Sequence, residues 1–415
     1  MSRTSDLFRW RLTAVLLANA LLRLANAASG ALIGLYLAFL ATNGRLIDAA
    51  LVGTLGVVVS STELLGAIPL GILADRFTPR SLLVWSGLLG AISTQLFGIS
   101  GLVVIFYLSR AMEGVAAAAS GPSLLAHLTD VTQGKTAVRG RVMSLFELSL
   151  LVGLAFGTLV AGLLWESVAV QSFSWIAAIY LVVTVLFWFG AVAPETGQIE
   201  FQHPLAGLKA AVATPALRRL APAWVAANAV AGLWLTHIVF QLTGPKADGQ
   251  YLVGLLTAEQ IAWISVVYAL VFALGIVIWS FFLDRLGHYR VMVWGVWGMF
   301  GTGLCFYLLN HSADWTVGGR TAVLVFYAFM IMLQSGFTPA ALAFLVNVAG
   351  EQEGRGATMG IYTLLLGLGN AVGAGWGGLL ASRWFLDGLL LGTAVLGVIG
   401  FLSLQWLGRW QKQTT

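Results

Sequence analysis

Gly71-Ile-Leu-Ala-Asp75-Arg76 runs on to Val84-Trp85, and 209 residues later Ser280-Phe-Phe-Leu-Asp284-Arg285 runs on to Val293-Trp294. Each stretch closes a long apolar run with an Asp-Arg pair, adds a second basic residue (Arg80, Arg290), and opens a new apolar run. Charged residues make up 9% of the chain, so an Asp-Arg turn that recurs in the same setting points to duplication of a membrane protein, with one polar hinge in each half.

The runs on either side of the hinges are apolar enough for lipid. Of the 415 residues, 59% are hydrophobic and mean hydropathy is +0.89, against about 45–50% apolar and about 25% charged residues in a soluble domain. A membrane-crossing helix needs ~20 mainly apolar residues. Twelve such runs are predicted, near 13–42, 49–74, 81–99, 101–128, 141–165 and 171–193, then 219–243, 257–283, 291–310, 320–348, 356–382 and 385–408. Little polar mass is left over, which excludes an appended catalytic domain, and no enzyme activity is expected. The first run is too long for the apolar core of a cleavable signal and is expected to stay as a helix. One cysteine, Cys305, rules out an intrachain disulfide and a cysteine-based metal cluster. No His/Cys/Asp/Glu group has metal-ligand spacing, so neither metal nor cofactor is expected.

Charge is arranged by topology. Sixteen of the 22 Lys and Arg fall in the termini and even-numbered loops, four (Arg45, Lys246, Arg320, Arg383) in odd-numbered loops, and two (Arg23, Arg110) inside predicted helices. The positive-inside rule then places both termini in the cytoplasm of a multi-pass cell-membrane protein. The net charge of +5 is accounted for in this way and implies no nucleic-acid partner. The expected partners are the lipid bilayer, a small-molecule substrate and protons, with the chain acting as a monomer.

A second internal match extends the duplication. Arg139-Gly-Arg-Val-Met-Ser-Leu-Phe-Glu-Leu-Ser-Leu-Leu-Val-Gly153 aligns with Arg355-Gly-Ala-Thr-Met-Gly-Ile-Tyr-Thr-Leu-Leu-Leu-Gly-Leu-Gly369, and through Gly162/Gly378 and the Leu-Leu after each, 11 of 26 positions are identical at an offset of 216. Repeats of this kind define the architecture before any other signal. They predict an all-α membrane protein of twelve transmembrane helices: a six-helix bundle over 1–193, a cytoplasmic linker over 194–218 and a second six-helix bundle over 219–415, related by a pseudo-two-fold axis.

Three motifs carry a family resemblance. Gly71-Ile-Leu-Ala-Asp75-Arg76-Phe77 resembles the loop 2–3 signature of the major facilitator superfamily. Leu108-Ser-Arg110-Ala-Met-Glu113-Gly114 is similar to its helix 4 motif, and Gly153-Leu-Ala-Phe-Gly157-Thr-Leu-Val-Ala-Gly162 to the glycine-rich helix 5 motif of its proton-coupled antiporters. Two positions depart from those patterns: Thr78-Pro79 replaces the usual Gly-Arg of the loop signature, and the helix 5 motif lacks its proline. The resemblance implies a transporter working by alternating access, with Gly71, Asp75, Arg76, Arg80, Asp130, Asp284 and Arg285 as gate residues and Arg110 linked to proton transfer.

Charge inside the helices marks the chemistry. At 1.5 Å per residue, Arg23 lies ~18 Å from Arg11 and Glu63 ~18 Å from Asp75, near mid-membrane. A charge there costs roughly 2.5–3.5 kcal/mol even on the lenient insertion scale, so it must pair, face the interior or line water. Glu63, Glu113 and Glu147 with Arg110 are the proton-coupling candidates. Glu63 ranks first because no basic residue lies within a turn of it, whereas Glu147 is ~9 Å from Arg141. Asn19, Arg23 and Asn26 form one stripe, and with His237, Gln241, Gln334 and Asn370 they are the substrate-binding candidates. The competing reading for the stripe is a static lock between helices. The favoured function is proton-coupled export of a small amphipathic or organic molecule. The alternatives are proton-coupled uptake of an organic anion and a non-transporting assembly factor for pigment or lipid.

Overall fold

A computed structural model describes residues 2–74, 78–132, 136–191, 215–349 and 355–414, and these are helical almost throughout. The helices are α1 (Ser2–Thr42), α2 (Ala49–Ala74), α3 (Pro79–Ile99), α4 (Val103–Val131), α5 (Thr136–Val168), α6 (Ser172–Gly190), α7 (Pro215–Thr243), α8 (Ala258–Leu286), α9 (His288–Asn310), α10 (Val317–Gln334), α11 (Phe337–Ala349) and α12 (Arg355–Thr414). Ten apolar stretches among the described residues are long enough to cross a membrane. Two of them are double: Ala155–Gly190 turns at Ala169 between α5 and α6, and Leu364–Gln411 turns at Phe385 inside α12. The twelve crossings expected from the sequence are therefore present, with α10 and α11 forming one crossing broken at Ser335-Gly336. Trp279 of α8 lies against that break, its indole donating to Met332 O at 2.8 Å.

The ends of the helices follow local chemistry. Asp48 Oδ1 accepts the Leu51 amide at 2.9 Å, and Thr316 Oγ1 accepts that of Gly319 at 3.3 Å. Thr257 and Gln260 make a reciprocal capping box on α8 (3.2 and 3.0 Å), satisfying two of the four amides a helix start leaves open. The Thr78-Pro79 departure from the loop signature turns out to be a helix start: Thr78 caps α3 through the Ser81 amide and Pro79 takes the first helical position, where a missing N–H costs nothing. In the second copy of the hinge, α8 ends after Arg285 and the chain turns at Gly287, whose φ of +82° suits glycine. The predicted linker over 194–214 lies outside the described residues, and α7 takes in 215–218.

By packing, the chain forms two compact units: Met1–Tyr36, Val58–Ile199 and Thr257–Val266 in unit 1, and Leu37–Val57, Glu200–Leu256 and Val267–Thr415 in unit 2. Unit 1 holds an aromatic core in which Tyr36 meets Phe97, Phe106 and Phe173 edge-on, and its hydroxyl donates to Ser100 O. Unit 2 centres on Trp224, Phe337, Met292, Val296 and Leu404, all buried.

One close approach recurs in both units. A Cβ added at Gly153 of α5 would fall 2.5 Å from Arg23 Cβ of α1, and one at Gly369 of α12 would fall 2.6 Å from Asn228 Cβ of α7. Glycine is required at both because a methyl group would push the paired helices apart. Leucine at Gly153 or at Gly369 should destabilise the protein by about 1–3 kcal/mol or more through overpacking. The thermal unfolding midpoint in detergent should fall for each, whereas leucine at Gly318, which has nothing within 4 Å, should leave it unchanged.

Candidate functional site

Unit 1 contains a cavity of about 220 Å³ formed by five helices. Arg23 and Asn26 come from α1, Glu63 from α2, Gly90 from α3, Glu113 and Ser120 from α4, and Tyr180 from α6. Arg23 and Asn26 lie three residues apart on one face of α1, and the glycine contact at Gly153 fixes how closely α5 backs that face. Tyr180 is 1% exposed, and its hydroxyl donates to Asn26 Oδ1 at 2.7 Å. A phenol buried that deeply needs a partner, and this one ties α6 to α1 at the cavity wall.

Charge in the cavity is partly neutralised within one helix. Arg110 Nη1 donates to Glu113 Oε2 across a single turn of α4, with side chains 12% and 14% exposed. Such i, i+3 spacing puts both groups on one face, and a pair removed this far from water is held strongly because either charge alone would be left uncompensated. Glu63 is more open than either, projecting into the cavity as an exposed side chain. Among the described residues no ion pair engages it. Gly114, beside Glu113, meets Thr62 and the Val59 carbonyl, which lets α4 approach α2 closely enough for the two glutamates to share one cavity. The Arg23 guanidinium lies 5.8 Å from the Phe146 ring centroid, within cation–π range.

The other sequence candidates fall elsewhere. Asn19 is fully buried and donates to Ser149 Oγ, tying α1 to α5, so the predicted stripe divides between a helix lock and a cavity wall. Glu147 lies on α5 and Asp130 on α4, but their side chains fall outside the described residues. Gly71 is in the last turns of α2, and Asp75 and Arg76 lie outside the described residues. Arg80 stacks on Trp188 at 4.6 Å. Asp284 and Arg285 are exposed in the last turn of α8, where a basic residue is favoured by the helix dipole.

In unit 2 two of the four candidates are neutral side-chain ties between helices. His237 is fully buried and donates Nε2–H to Ala374 O at 2.9 Å, Gln334 Oε1 accepts from Thr302 at 3.1 Å, Gln241 is 2% exposed, and the Asn370 backbone packs against Gly232. None of these four lines the cavity. Two residues that the sequence did not single out have clear roles. Tyr180 is one: a lone phenol in a run whose other polar groups are Ser and Thr is the signal that could have found it. Glu166 is the other, accepting the Ala258 amide at 3.0 Å at the start of α8, a contact between distant segments that no local pattern announces.

Twelve apolar crossings with an enclosed, charged cavity define a multi-pass membrane transporter. The family model described as Major Facilitator Superfamily matches residues 15–257 and 250–414, and the chain belongs to that superfamily. Its relatives include Multidrug resistance protein 2 of Bacillus subtilis (strain 168), 26% identical over 314 residues that cover 74% of each chain. Multidrug resistance protein 1 of the same organism is 25% identical over 363 residues, covering 86% of this chain and 87% of that one. The fold also matches the crystal structure of a bacterial homolog to the human lysosomal transporter Spinster in an inward-facing and unoccupied conformation. The TM-score is 0.75 at 13% identity, over 96% of this chain and 98% of the other.

The Arg110–Glu113 pair predicts a non-additive result. Arg110→Leu alone should cost about 3–5 kcal/mol by leaving Glu113 buried without its partner, and adding Glu113→Leu should restore most of the loss. A double-mutant cycle on detergent-solubilised protein measures the coupling. Tyr180→Phe, which removes one neutral hydrogen bond to Asn26, should cost only about 1 kcal/mol.

Proposed function

We propose that this transporter exports small amphipathic organic molecules in exchange for protons, by alternating access, with Glu63 as the carboxyl that loads and releases the proton. The observation that carries this reading is the composition of the unit 1 cavity. Arg110 and Glu113 neutralise one another, and Glu63 opens into the same space as Arg23. With Glu63 ionised the four side chains sum to zero charge; with Glu63 protonated they sum to +1. A cationic group on a substrate is therefore admitted by one protonation state and repelled by the other, which is the electrostatic requirement for exchange.

The cavity's size assigns it a part of the substrate. At about 220 Å³ it falls below the ~300–1,000 Å³ of pockets that enclose drug-sized ligands, so it suits a polar end group together with a proton, and the apolar body of the substrate would lie outside it. The names of the Bacillus subtilis relatives support export over uptake. With the termini in the cytoplasm, as the Lys/Arg distribution favours, the Asp75-Arg76 and Asp284-Arg285 turns fall on the cytoplasmic side as hinges between the alternating states.

Proteoliposomes with an imposed pH gradient and a fluorescent lipophilic cation test this reading. Wild-type protein should move the dye against a proton counterflow, and Glu63→Gln should lose at least tenfold of the gradient-driven rate while still exchanging dye when no gradient is imposed. Unchanged gradient-driven transport by Glu63→Gln would remove Glu63 from coupling. Proton-driven uptake of an anionic dye that is lost in Arg23→Ala would establish the organic-anion reading instead.

A further inference from the structure

Unit 2 carries a separate cavity of about 700 Å³ in the groove between α9 and the part of α12 beyond Phe385. Its floor is apolar: Met299 and Leu390 are buried, and Thr393 directs its hydroxyl to the Leu389 carbonyl and accepts the Trp234 indole N–H, each at 2.9 Å. Its rim is open, with Trp297, Leu304 and Leu391 54%, 57% and 47% exposed. In a multi-pass membrane protein, an open apolar rim on crossing helices faces acyl chains.

One end of the groove is acidic and built. Asp387 lines it beside Tyr307, 30% exposed. Its carboxylate accepts from Asn310 Nδ2 at 2.9 Å and from His311 Nε2, which is 3.1 Å from both oxygens. Its amide donates to Gln250 Oε1 at 3.2 Å. Asn310 is fully buried and also accepts the Leu252 amide, so the acid is anchored to two loops. Two residues earlier, Phe385 has φ +48° and ψ −128°, a strained conformation for a side-chain-bearing residue, of a kind that persists where its surroundings over-determine it. That turn is what delivers Asp387 to the groove.

We propose that this groove binds one phosphatidylethanolamine molecule, with an acyl chain along α9 and α12 and the headgroup ammonium on Asp387. Length fits: from Asp387 to Phe401 the helix rises about 21 Å, room for a glycerol and one chain of a leaflet whose hydrocarbon depth is ~15 Å. Chemistry selects the headgroup. Ionised carboxylate oxygens offer about four lone-pair sites, of which Asn310 and His311 occupy part, and a primary ammonium can donate a charge-assisted hydrogen bond to the rest. A quaternary choline has no N–H to donate, and a phosphoglycerol headgroup brings a net negative charge to an acid.

The test is lipid retention, read by native mass spectrometry on full-length protein taken from nanodiscs of equimolar phosphatidylethanolamine, phosphatidylcholine and phosphatidylglycerol. Wild type should retain phosphatidylethanolamine over each of the others on the order of tenfold, the ratio that corresponds to ~1.4 kcal/mol. Asp387→Asn, which keeps an acceptor for Asn310, should abolish the preference but still hold lipid. Gly303→Leu, whose new side chain meets only Thr393 Cγ2 at 3.7 Å before entering the groove, should lose the bound lipid altogether and serves if Asp387→Asn folds poorly. Equal retention of the three lipids by wild type, or a preference that survives both variants, overturns the proposal. A dimer mass that Gly303→Leu abolishes would assign the groove to a second copy of this chain and overturn it too.

Discussion

Close backbone approach between paired helices is the constraint on which both units depend. Inside a bilayer the apolar effect does little to hold one helix against another, since lipid tails are as apolar as leucine, so contact distance and hydrogen bonding do the work. Gly153 and Gly157 bring α5 onto α1, at Arg23 in one case and at Ala27 and Ala28 in the other, and Gly369 and Gly373 bring α12 onto α7 at Asn228 and Ala229. Both pairs keep the same spacing in the repeat, and the residues met by Gly153 and Gly369, Arg23 and Asn228, are themselves 205 positions apart. The consequence reaches the chemistry: Arg23 borders the unit 1 cavity on a helix whose neighbour has no side chain at the point of contact, while the matching place in unit 2 holds a neutral asparagine that bonds to its own helix at Trp224 O.

That contrast runs through the two halves. Unit 1 keeps charge in its interior and manages it by pairing Arg110 with Glu113 and by opening Glu63 to a cavity. Unit 2 uses uncharged contacts at comparable depth, such as His237 on Ala374 and Gln334 with Thr302. A neutral hydrogen bond contributes about 1 kcal/mol, and ties of this kind hold helices in register. A group that must respond has to remain ionisable, and the cost of keeping it inside the membrane is tolerable only where a cavity or an opposite charge offsets it. Among the described residues, the buried Arg–Glu pair and the open glutamate belong to unit 1.

The fold was legible because its signals are long and repeated. Twelve apolar runs, two hinge copies and an 11-in-26 identity each constrain the answer over tens of residues, and the helices fall within a few residues of the runs. Helix α1 starts earlier than its apolar run because charged residues at its end can lie outside the bilayer. The site was legible in part. Arg23, Asn26, Glu63 and Glu113 were marked by the rarity of charge and amide groups in lipid, and they do share a cavity. Asn19 shows the limit: its spacing from Arg23 puts it on the same stripe, yet Ser149 of α5 claims it, and only packing decides between a wall and a lock. Thr78-Pro79 shows another. Compared with a motif it is a departure, whereas by capping chemistry it is an ordinary helix start, and the second reading was available from two residues.

The hinge copies themselves diverge in a way that bears on motion. In the first, α3 starts on a threonine cap and a proline whose ring fixes φ. In the second, Gly287 at positive φ separates α8 from α9, and Asp284 and Arg285 stand exposed beside it. Glycine carries the largest backbone entropy of any residue and proline the least, so the residues that lead into α3 and α9 differ in backbone freedom even though the Asp-Arg pairs before them match. The proline-led start belongs to α3, which with α2 lines the Glu63 cavity; the glycine turn joins α8 and α9, neither of which does. The two Asp-Arg copies thus differ in the residues that follow them.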